Sequence, residues 1–165
     1  MMRRSLLGGL PFASCLFAAP EPASSLPDLV LRTNHADSLR LRDWLPRLVI
    51  VNFWATWCGP CRREMSELQQ FLDRQPLRAA VLGIALDQQG WAAVTPFLRQ
   101  YAIRFPICLA DRRILRAFGF RGVPEPIPQT LVFSSGGERV WHVRAALTAA
   151  DLRRIARTLL GDERI

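Results

Sequence analysis

Two kinds of hydrophobic pattern organise the middle of the chain: continuous apolar runs and a stripe of helical period. Leu48–Ala55 is a nearly unbroken apolar run with β-branched and aromatic residues, which is typical of a strand buried on both faces, and Ala79–Leu86 is a second such run. Between them, Gly59–Asp73 places apolar residues one helical turn apart on one face. A strand, a helix and a strand at this spacing form a βαβ unit, so we expect the two strands to be parallel.

Shorter apolar segments on either side of this unit predict the rest of the domain. Upstream, Leu29–Arg32 and Ser38–Leu41 are separated by a polar turn and predict a small hairpin. Downstream, the pattern predicts a helix over Trp91–Tyr101, a strand over Pro106–Ala110 and a short helix over Arg112–Phe118. A hairpin of Thr130–Ser134 with Arg139–Val143 and a last helix from Thr148 onward follow. The fold class is therefore α/β with a mixed central sheet flanked by helices.

The N-terminus has the charge-then-apolar order of an export signal. Arg3 and Arg4 precede an apolar stretch that ends near Ala19, too short for an ordinary membrane-spanning helix. Three alternatives stay open: a lipoprotein signal acylated at Cys15, a cleaved secretory signal and an uncleaved anchor. Residues 1–25 are predicted to be this export signal or anchor plus a Pro- and Ser-rich linker, and residues 26–165 the folded domain. The domain is accordingly expected in the periplasm or another extracytoplasmic space, tethered to the membrane under two of the three alternatives.

The chain is strongly basic, but the distribution of its charges argues against binding to nucleic acid. All 22 basic residues are arginine and the formal net charge is +8. The absence of lysine excludes Schiff-base chemistry on this chain. The arginines are spread among 14 acidic residues and accompany no known nucleic-acid motif, so nucleic acid is not an expected partner.

Cysteine spacing supplies the strongest chemical signal. Cys58–Gly59–Pro60–Cys61 lies where a buried strand is expected to end and a helix to begin. Unpaired N–H groups and the helix dipole at that position stabilise a thiolate, which lowers the pKa of Cys58, and Pro60 fits a first helical turn. Cys61 lies one turn later and within reach of a disulfide with Cys58. The geometry predicts that Cys58 attacks a disulfide and that Cys61 resolves the mixed disulfide.

A zinc site is the structural alternative for a CxxC pair, and the rest of the chain argues against it. Zinc would require two further ligands at comparable spacing, whereas the remaining candidates, Cys15, His35, Cys108 and His142, each stand alone. We therefore expect no metal and no cofactor other than the redox-active disulfide itself. Cys108, within a short apolar strand, is expected to be a buried and inert thiol.

The residues around the cysteine pair resemble a known family. The segment VNFWATWCGPCRREM is similar to the TlpA/ResA/CcmG-type branch of extracytoplasmic thioredoxin-like thiol–disulfide oxidoreductases, and the resemblance extends over PDLVLR, FPICLAD and FGFRGVP…IPQTLVF. It implies a thioredoxin-like fold with an N-terminal β-hairpin over Asp28–Leu41 and an inserted helix–strand over Trp91–Ala110. It also implies a reductant of specific protein disulfides in cytochrome c maturation or metal-centre assembly, with electrons from a membrane protein of DsbD/CcdA type.

The same resemblance implies roles for further residues. Asn52 stands where thioredoxin has a buried aspartate, and Glu64 matches a glutamate that the branch places beside the cysteines, where a carboxylate could shuttle the Cys61 proton. Family members also carry a cis-proline facing the disulfide. Counting back from the TLVF strand gives Pro128, whereas counting forward from FGFRG gives Pro124, so this loop holds four added residues. We favour Pro128.

Predicted substrate contacts surround the nucleophile. Trp57, Gly59 and Pro60 are expected on the partner-contacting face, together with Ile127 and Pro128. The added residues are expected to form a stiff ridge, Val123–Ile127, beside Cys58 that narrows the range of protein substrates. We expect a monomer. The alternative function is a copper carrier resembling Sco proteins, for which this chain offers CxxC in place of CxxxC and His142 as a weak candidate for the distant histidine.

Overall fold

The computed structural model describes residues 21–161. Two short strands, β1 (Val30–Leu31) and β2 (Leu39–Arg40), form a small antiparallel pair. The central sheet has five strands: β3 (Leu48–Trp54), β4 (Ala79–Ala85), β5 (Ile107–Leu109), β6 (Gln129–Phe133) and β7 (Arg139–Val143). Their spatial order is β5-β4-β3-β6-β7. The β5-β4-β3 half is parallel and the β3-β6-β7 half antiparallel, which confirms the predicted mixed sheet and the parallel pairing of β3 with β4.

Residues 21–161 contain four α-helices, of which the first three connect strands of the central sheet and the fourth follows β7. They are α1 (Gly59–Arg74), α2 (Trp91–Gln100), α3 (Arg112–Ala117) and α4 (Ala149–Ile155), and α4 continues into a π-helical turn over Ala156–Leu160. Helix α4 begins with the predicted capping box, in which the Thr148 side chain accepts from the Asp151 N–H and the Asp151 side chain from the Thr148 N–H. Within residues 21–161, no helix has both the length and the apolarity that crossing a bilayer requires.

Strand β3 supplies both hydrophobic cores of the domain, because successive side chains of a strand point to opposite faces of the sheet. Leu48, Ile50 and Trp54 contribute to the core beneath α1, α2 and α4. The alternate residues Val49, Val51 and Phe53 contribute to the core that contains side chains of β1 and α3 together with Leu41. Every residue of β3 and β4 is buried, as the continuous apolar runs predict. One β3 residue, Asn52, is polar, and it belongs to the site described below.

The chain already contacts the domain before β1. The N–H of Ala23 donates to the carbonyl of Phe118 (2.8 Å), and Ser25 forms an isolated antiparallel bridge with Glu138. Gly119 has φ +86°, and a Cβ there would lie 2.8 Å from the Glu21 carbonyl oxygen, so this approach requires glycine. Ordered contacts therefore begin within the segment predicted to be a linker. The predicted export segment and Cys15 lie outside the described residues.

Candidate active site

Cys58 and Cys61 form a disulfide at the start of α1, with their Cα atoms 5.3 Å apart. Cys58 is the N-cap residue, and its Sγ lies 3.3 Å from the N–H of Cys61, which donates to it. Pro60 lies in the first turn, where a residue without an N–H costs no hydrogen bond. Cys61 is completely buried, whereas Cys58 retains 6% exposure. Of the two cysteines, Cys58 is therefore the one with exposed surface, and the predicted roles of attacking and resolving cysteine stay predictions.

The segment between β3 and α1 is fixed by an acid from the neighbouring strand. The carboxylate of Asp87, two residues after β4, accepts from both the backbone N–H and the hydroxyl of Thr56. Arg62 donates to the Thr56 carbonyl at 2.9 Å. Sequence reasoning missed Asp87, although a lone acid directly after a buried strand that pairs with the motif strand was an available signal. Together these bonds set where α1 begins, and therefore where Cys58 lies.

The other motif residues form an exposed surface around this nearly buried sulfur. Trp57 is 67% exposed, and Gly59 and Pro60 are exposed as well. A Cβ placed on Gly59 would have no atom within 4 Å, so the space before it is open. The predicted role of these three residues in contacting a partner stays a prediction.

The loop before β6 lies against the disulfide. The Ile127–Pro128 peptide bond is cis, as favoured from the sequence, and the Ile127 carbonyl oxygen lies 3.8 Å from Cys58 Sγ. Within residues 21–161 the other cis bonds precede Pro46 and Pro126, so Pro124, the competing candidate, is not cis. The count from the strand was correct because β6 begins directly after Pro128, and the loop before it accommodates the added residues.

Glu64 is completely buried one helical turn after Cys61, and its partners come from three other parts of the chain. Its Oε1 accepts from the Thr130 hydroxyl (2.9 Å) and from the backbone N–H of Leu147 (3.1 Å). Its Oε2 accepts from Asn52 Nδ2 (3.0 Å), which also donates to Thr130 Oγ1 (2.9 Å). These donors favour the charged carboxylate, but burial outweighs them and raises the pKa of Glu64 to about 7.

The Glu64 cluster contains partners that the sequence did not reveal. Thr130 follows the cis-proline by two residues and gave no specific signal, and Leu147 contributes only its backbone N–H. Asn52 Oδ1 is buried and has no hydrogen-bond partner. None of the hydrogen bonds of Glu64 reaches a sulfur, so the carboxylate relates to the cysteines through its position on the same face of α1 as Cys61.

Cys108 and His142 are the remaining candidate residues. Cys108 is a free, buried thiol whose pKa is raised to about 12, first by burial and then by Asp111. His142 lies on β7 with Nε2 2.8 Å from Gln129 Oε1, and burial lowers its pKa, with Arg139 adding to the effect. Within the part of the chain that the structure describes, no three His, Cys, Asp or Glu side chains come together as a metal site would require.

The sequence is similar to a known protein family and to a known oxidoreductase. The model of the AhpC/TSA family matches residues 22–140. The thiol-disulfide oxidoreductase ResA of Bacillus subtilis is 27% identical over 147 residues, which cover 85% of this chain and 78% of that protein.

Two solved structures have a fold similar to that of this chain. A thiol:disulfide interchange protein of the thioredoxin family from Chlorobium tepidum superposes with a TM-score of 0.71 at 27% identity, over 87% of this chain and 99% of that one. A secreted thiol-disulfide isomerase from Corynebacterium glutamicum gives a TM-score of 0.70 at 26% identity, over 83% and 86% of the two chains. The thioredoxin-like fold implied by the sequence resemblance is confirmed.

Proposed function

The chain belongs to the AhpC/TSA family, and on that premise we propose that it is an extracytoplasmic thiol–disulfide oxidoreductase that reduces specific protein disulfides through Cys58 and Cys61. The oxidoreductase class follows from its relatives and from the cysteine pair. The observation that carries the proposal is the position of that pair: Cys58 caps a helix, receives the Cys61 N–H and alone reaches the surface.

The chemistry follows from this arrangement. In the reduced protein, the Cys58 thiolate attacks one sulfur of a partner disulfide, and the other partner sulfur leaves as a thiolate. Cys61 then loses its proton and attacks Cys58 Sγ, which forms the disulfide seen here and releases the second partner thiol. Two electrons and two protons pass from the dithiol to the partner. The helix N-terminus favours the first step because it stabilises the attacking thiolate.

We assign Glu64 as the general base that accepts the proton of Cys61. A general base works best when its pKa lies near the working pH, and the pKa of Glu64 is raised to about 7. Asn52, which stands where thioredoxin has an aspartate, cannot accept a proton and instead donates to Glu64. The carboxylate is therefore the titratable group of this buried cluster.

The direction of electron flow and the location of the protein are further parts of the proposal. Gly–Pro between the cysteines matches thioredoxin, whose reduction potential is about −270 mV, and this favours a reductant. Arg3, Arg4 and the apolar stretch after them favour export, as does the likeness to a secreted thiol-disulfide isomerase. A tether to the membrane, a monomeric state, a DsbD/CcdA-type donor and a role in cytochrome c maturation or metal-centre assembly rest on the family resemblance.

The copper carrier is the alternative function, and no observation favours it. Copper binding of that kind would need His142 near the cysteines. His142 Nε2 is instead engaged with Gln129 Oε1 at 2.8 Å, and within the described residues no three His, Cys, Asp or Glu side chains come together as a metal site would require.

A trapping experiment tests the proposed function. Cys61→Ser should accumulate mixed disulfides with partner proteins, because Cys58 can attack but nothing resolves the product, and those partners can then be identified. Cys58→Ser should form none and should reduce no model disulfide. Cys108→Ala is the matched control and should behave as the native protein, since the Cys108 thiol is buried. Reduction of a model disulfide by Cys58→Ser would show that the nucleophile is assigned wrongly.

A further inference from the structure

A groove of about 490 Å³ opens beside Cys58, and we call it the ridge groove. It is lined by Trp57 and by Val123–Glu125 with Ile127 of the ridge, which we call its two walls, and by Leu86–Gln89, which follow β4. Within residues 21–161, five large hydrophobic side chains are substantially exposed, and two of them, Trp57 at 67% and Val123 at 59%, line this groove. Exposed apolar side chains that gather at one place mark an interaction site more often than scattered ones do.

Both walls of the ridge groove are held in place by hydrogen bonds from the domain. On the ridge side, Gln129 Nε2 donates to the Pro126 carbonyl at 2.9 Å, and Arg144 donates to the Glu125 carbonyl at 3.1 Å. On the other side, Asp87 fixes Thr56, the residue before Trp57. A groove whose walls are already ordered loses little conformational entropy when it is filled.

The reaction itself defines what enters the groove. A partner cysteine must come into contact with Cys58 Sγ, which lies 3.8 Å from the carbonyl oxygen of Ile127, a ridge residue. Residues that flank the partner cysteine therefore come close to the ridge groove, which Ile127 also lines. Of the polar residues that line the groove, Asp87 is already occupied by Thr56, whereas Gln88, Gln89 and the exposed Glu125 remain. The exposed apolar side chains that it offers to a partner are those of Trp57 and Val123.

We propose that the ridge groove binds a large apolar side chain, such as Leu or Phe, next to the disulfide cysteine of the partner. The inference rests on the proposed function and adds a substrate class to it: segments in which an apolar residue adjoins the reactive cysteine. Val123, which belongs to the added loop, is then a specificity-determining residue.

Short peptides with one cysteine in a mixed disulfide with thionitrobenzoate test the inference. In one series Ala, Leu or Phe stands directly before the cysteine, and in the other series it stands directly after the cysteine. The protein is first reduced to the Cys58–Cys61 dithiol and freed of reductant; in a single turnover this dithiol is then oxidised to the disulfide, the peptide thiol and thionitrobenzoate are released, and the second-order rate constant gives kcat/KM. Burial of a Leu or Phe side chain should raise kcat/KM over the Ala peptide by about 10-fold or more in at least one series.

Variants of the groove wall sharpen the test. Val123→Ser should lower the Leu-to-Ala rate ratio by about 3-fold or more, because it removes apolar contact, and Val123→Leu should restore it. Leu77→Ser, at an apolar residue that is even more exposed and does not line the groove, is the control and should leave the ratio unchanged. Equal rates for Ala, Leu and Phe peptides in both series, or an unchanged ratio in Val123→Ser, would overturn the inference. A protein unable to reduce even the small disulfide of thionitrobenzoate would overturn the proposed function itself.

Discussion

The carboxylate of Glu64 accepts a hydrogen bond of 3.1 Å from the backbone N–H of Leu147, in the loop between β7 and α4. This bond and those from Asn52 and Thr130 present donors to both carboxylate oxygens, an arrangement that suits the ionised form. Burial opposes ionisation, and the balance places the pKa near 7. Both protonation states of Glu64 are therefore populated at neutral pH, as a group that passes a proton requires.

Replacement of this carboxylate should slow thiol–disulfide exchange. Glu64→Gln keeps the size of the side chain but removes the proton acceptor, so we expect the rate at neutral pH to fall by about 100-fold and its inflection near pH 7 to disappear. Stopped-flow kinetics across neutral pH, with circular dichroism to verify folding, measure this. Glu67→Gln, on the same helix, is the control and should keep the native profile. An unchanged profile in Glu64→Gln would return Glu64 to a purely structural role.

Thr130 should set where Glu64 titrates. Its hydroxyl donates to Glu64 Oε1 and thereby lowers the pKa that burial raises. Thr130→Val removes this donor without changing the shape of the side chain, so the inflection of the rate should move above pH 7. A hydrogen bond to a charged group is worth about 1.5–3 kcal/mol, which corresponds to about one to two pH units. An inflection that stays in place or moves to lower pH contradicts the assignment of the titration to Glu64.

The sequence predicted those parts of the molecule that depend on local pattern. Strands β3 and β4 and helix α1 were located to within about a residue, because continuous burial and helical period each leave a clear signature over a short stretch. The cysteine pair was equally accessible, since its chemistry lies within four consecutive residues. Where two local signals disagreed, as for Pro124 and Pro128, the strand proved the better reference because its register in the sheet is fixed.

The partners of Glu64 were beyond this kind of reasoning. Asn52 and Thr130 lie 12 and 66 residues away along the chain, and Leu147 lies 83 residues away and contributes only a backbone N–H, which any residue except proline would supply. Their meeting depends on the β3–β6 pairing and on the return of the chain before α4, neither of which is encoded in a short motif. The same holds for the groove formed by Trp57 and Val123.

Gly83 should be a sensitive position of the core. It lies in β4 between Trp54 and Ile107, and an added Cβ would lie 2.4 Å from Ile107 Cδ1 and 2.9 Å from Trp54 Nε1. Gly83→Ala should therefore lower the free energy of unfolding by about 1–3 kcal/mol, measured by denaturant titration. Gly136→Ala is the control, because its Cβ would meet only Ser134 Oγ at 3.7 Å. A denaturation midpoint in Gly83→Ala equal to that of the native protein would show that the sheet adjusts to make room for the added methyl group.

The raised pKa of Glu64 also predicts how stability depends on pH. Between its ordinary value of 4.5 and about 7, the folded protein binds a proton at Glu64 that the unfolded chain has released. The free energy of unfolding should therefore fall as pH rises through this range, by about 3 kcal/mol from this group, and should level off above it.

The difference between the native protein and Glu64→Gln isolates this contribution. The pKa values of Asp28, Asp73 and Asp151 are lowered, so the stability that these carboxylates contribute is lost as pH falls, at pH values below this range. These groups and His142 are present in both proteins, so their contributions cancel in the difference. In denaturant titrations of both proteins from below pH 4.5 to above 7, the free energy of unfolding of the native protein minus that of Glu64→Gln should fall by about 3 kcal/mol as pH rises. Parallel curves would mean that Glu64 titrates alike in the folded and unfolded chains, and that burial does not control its proton.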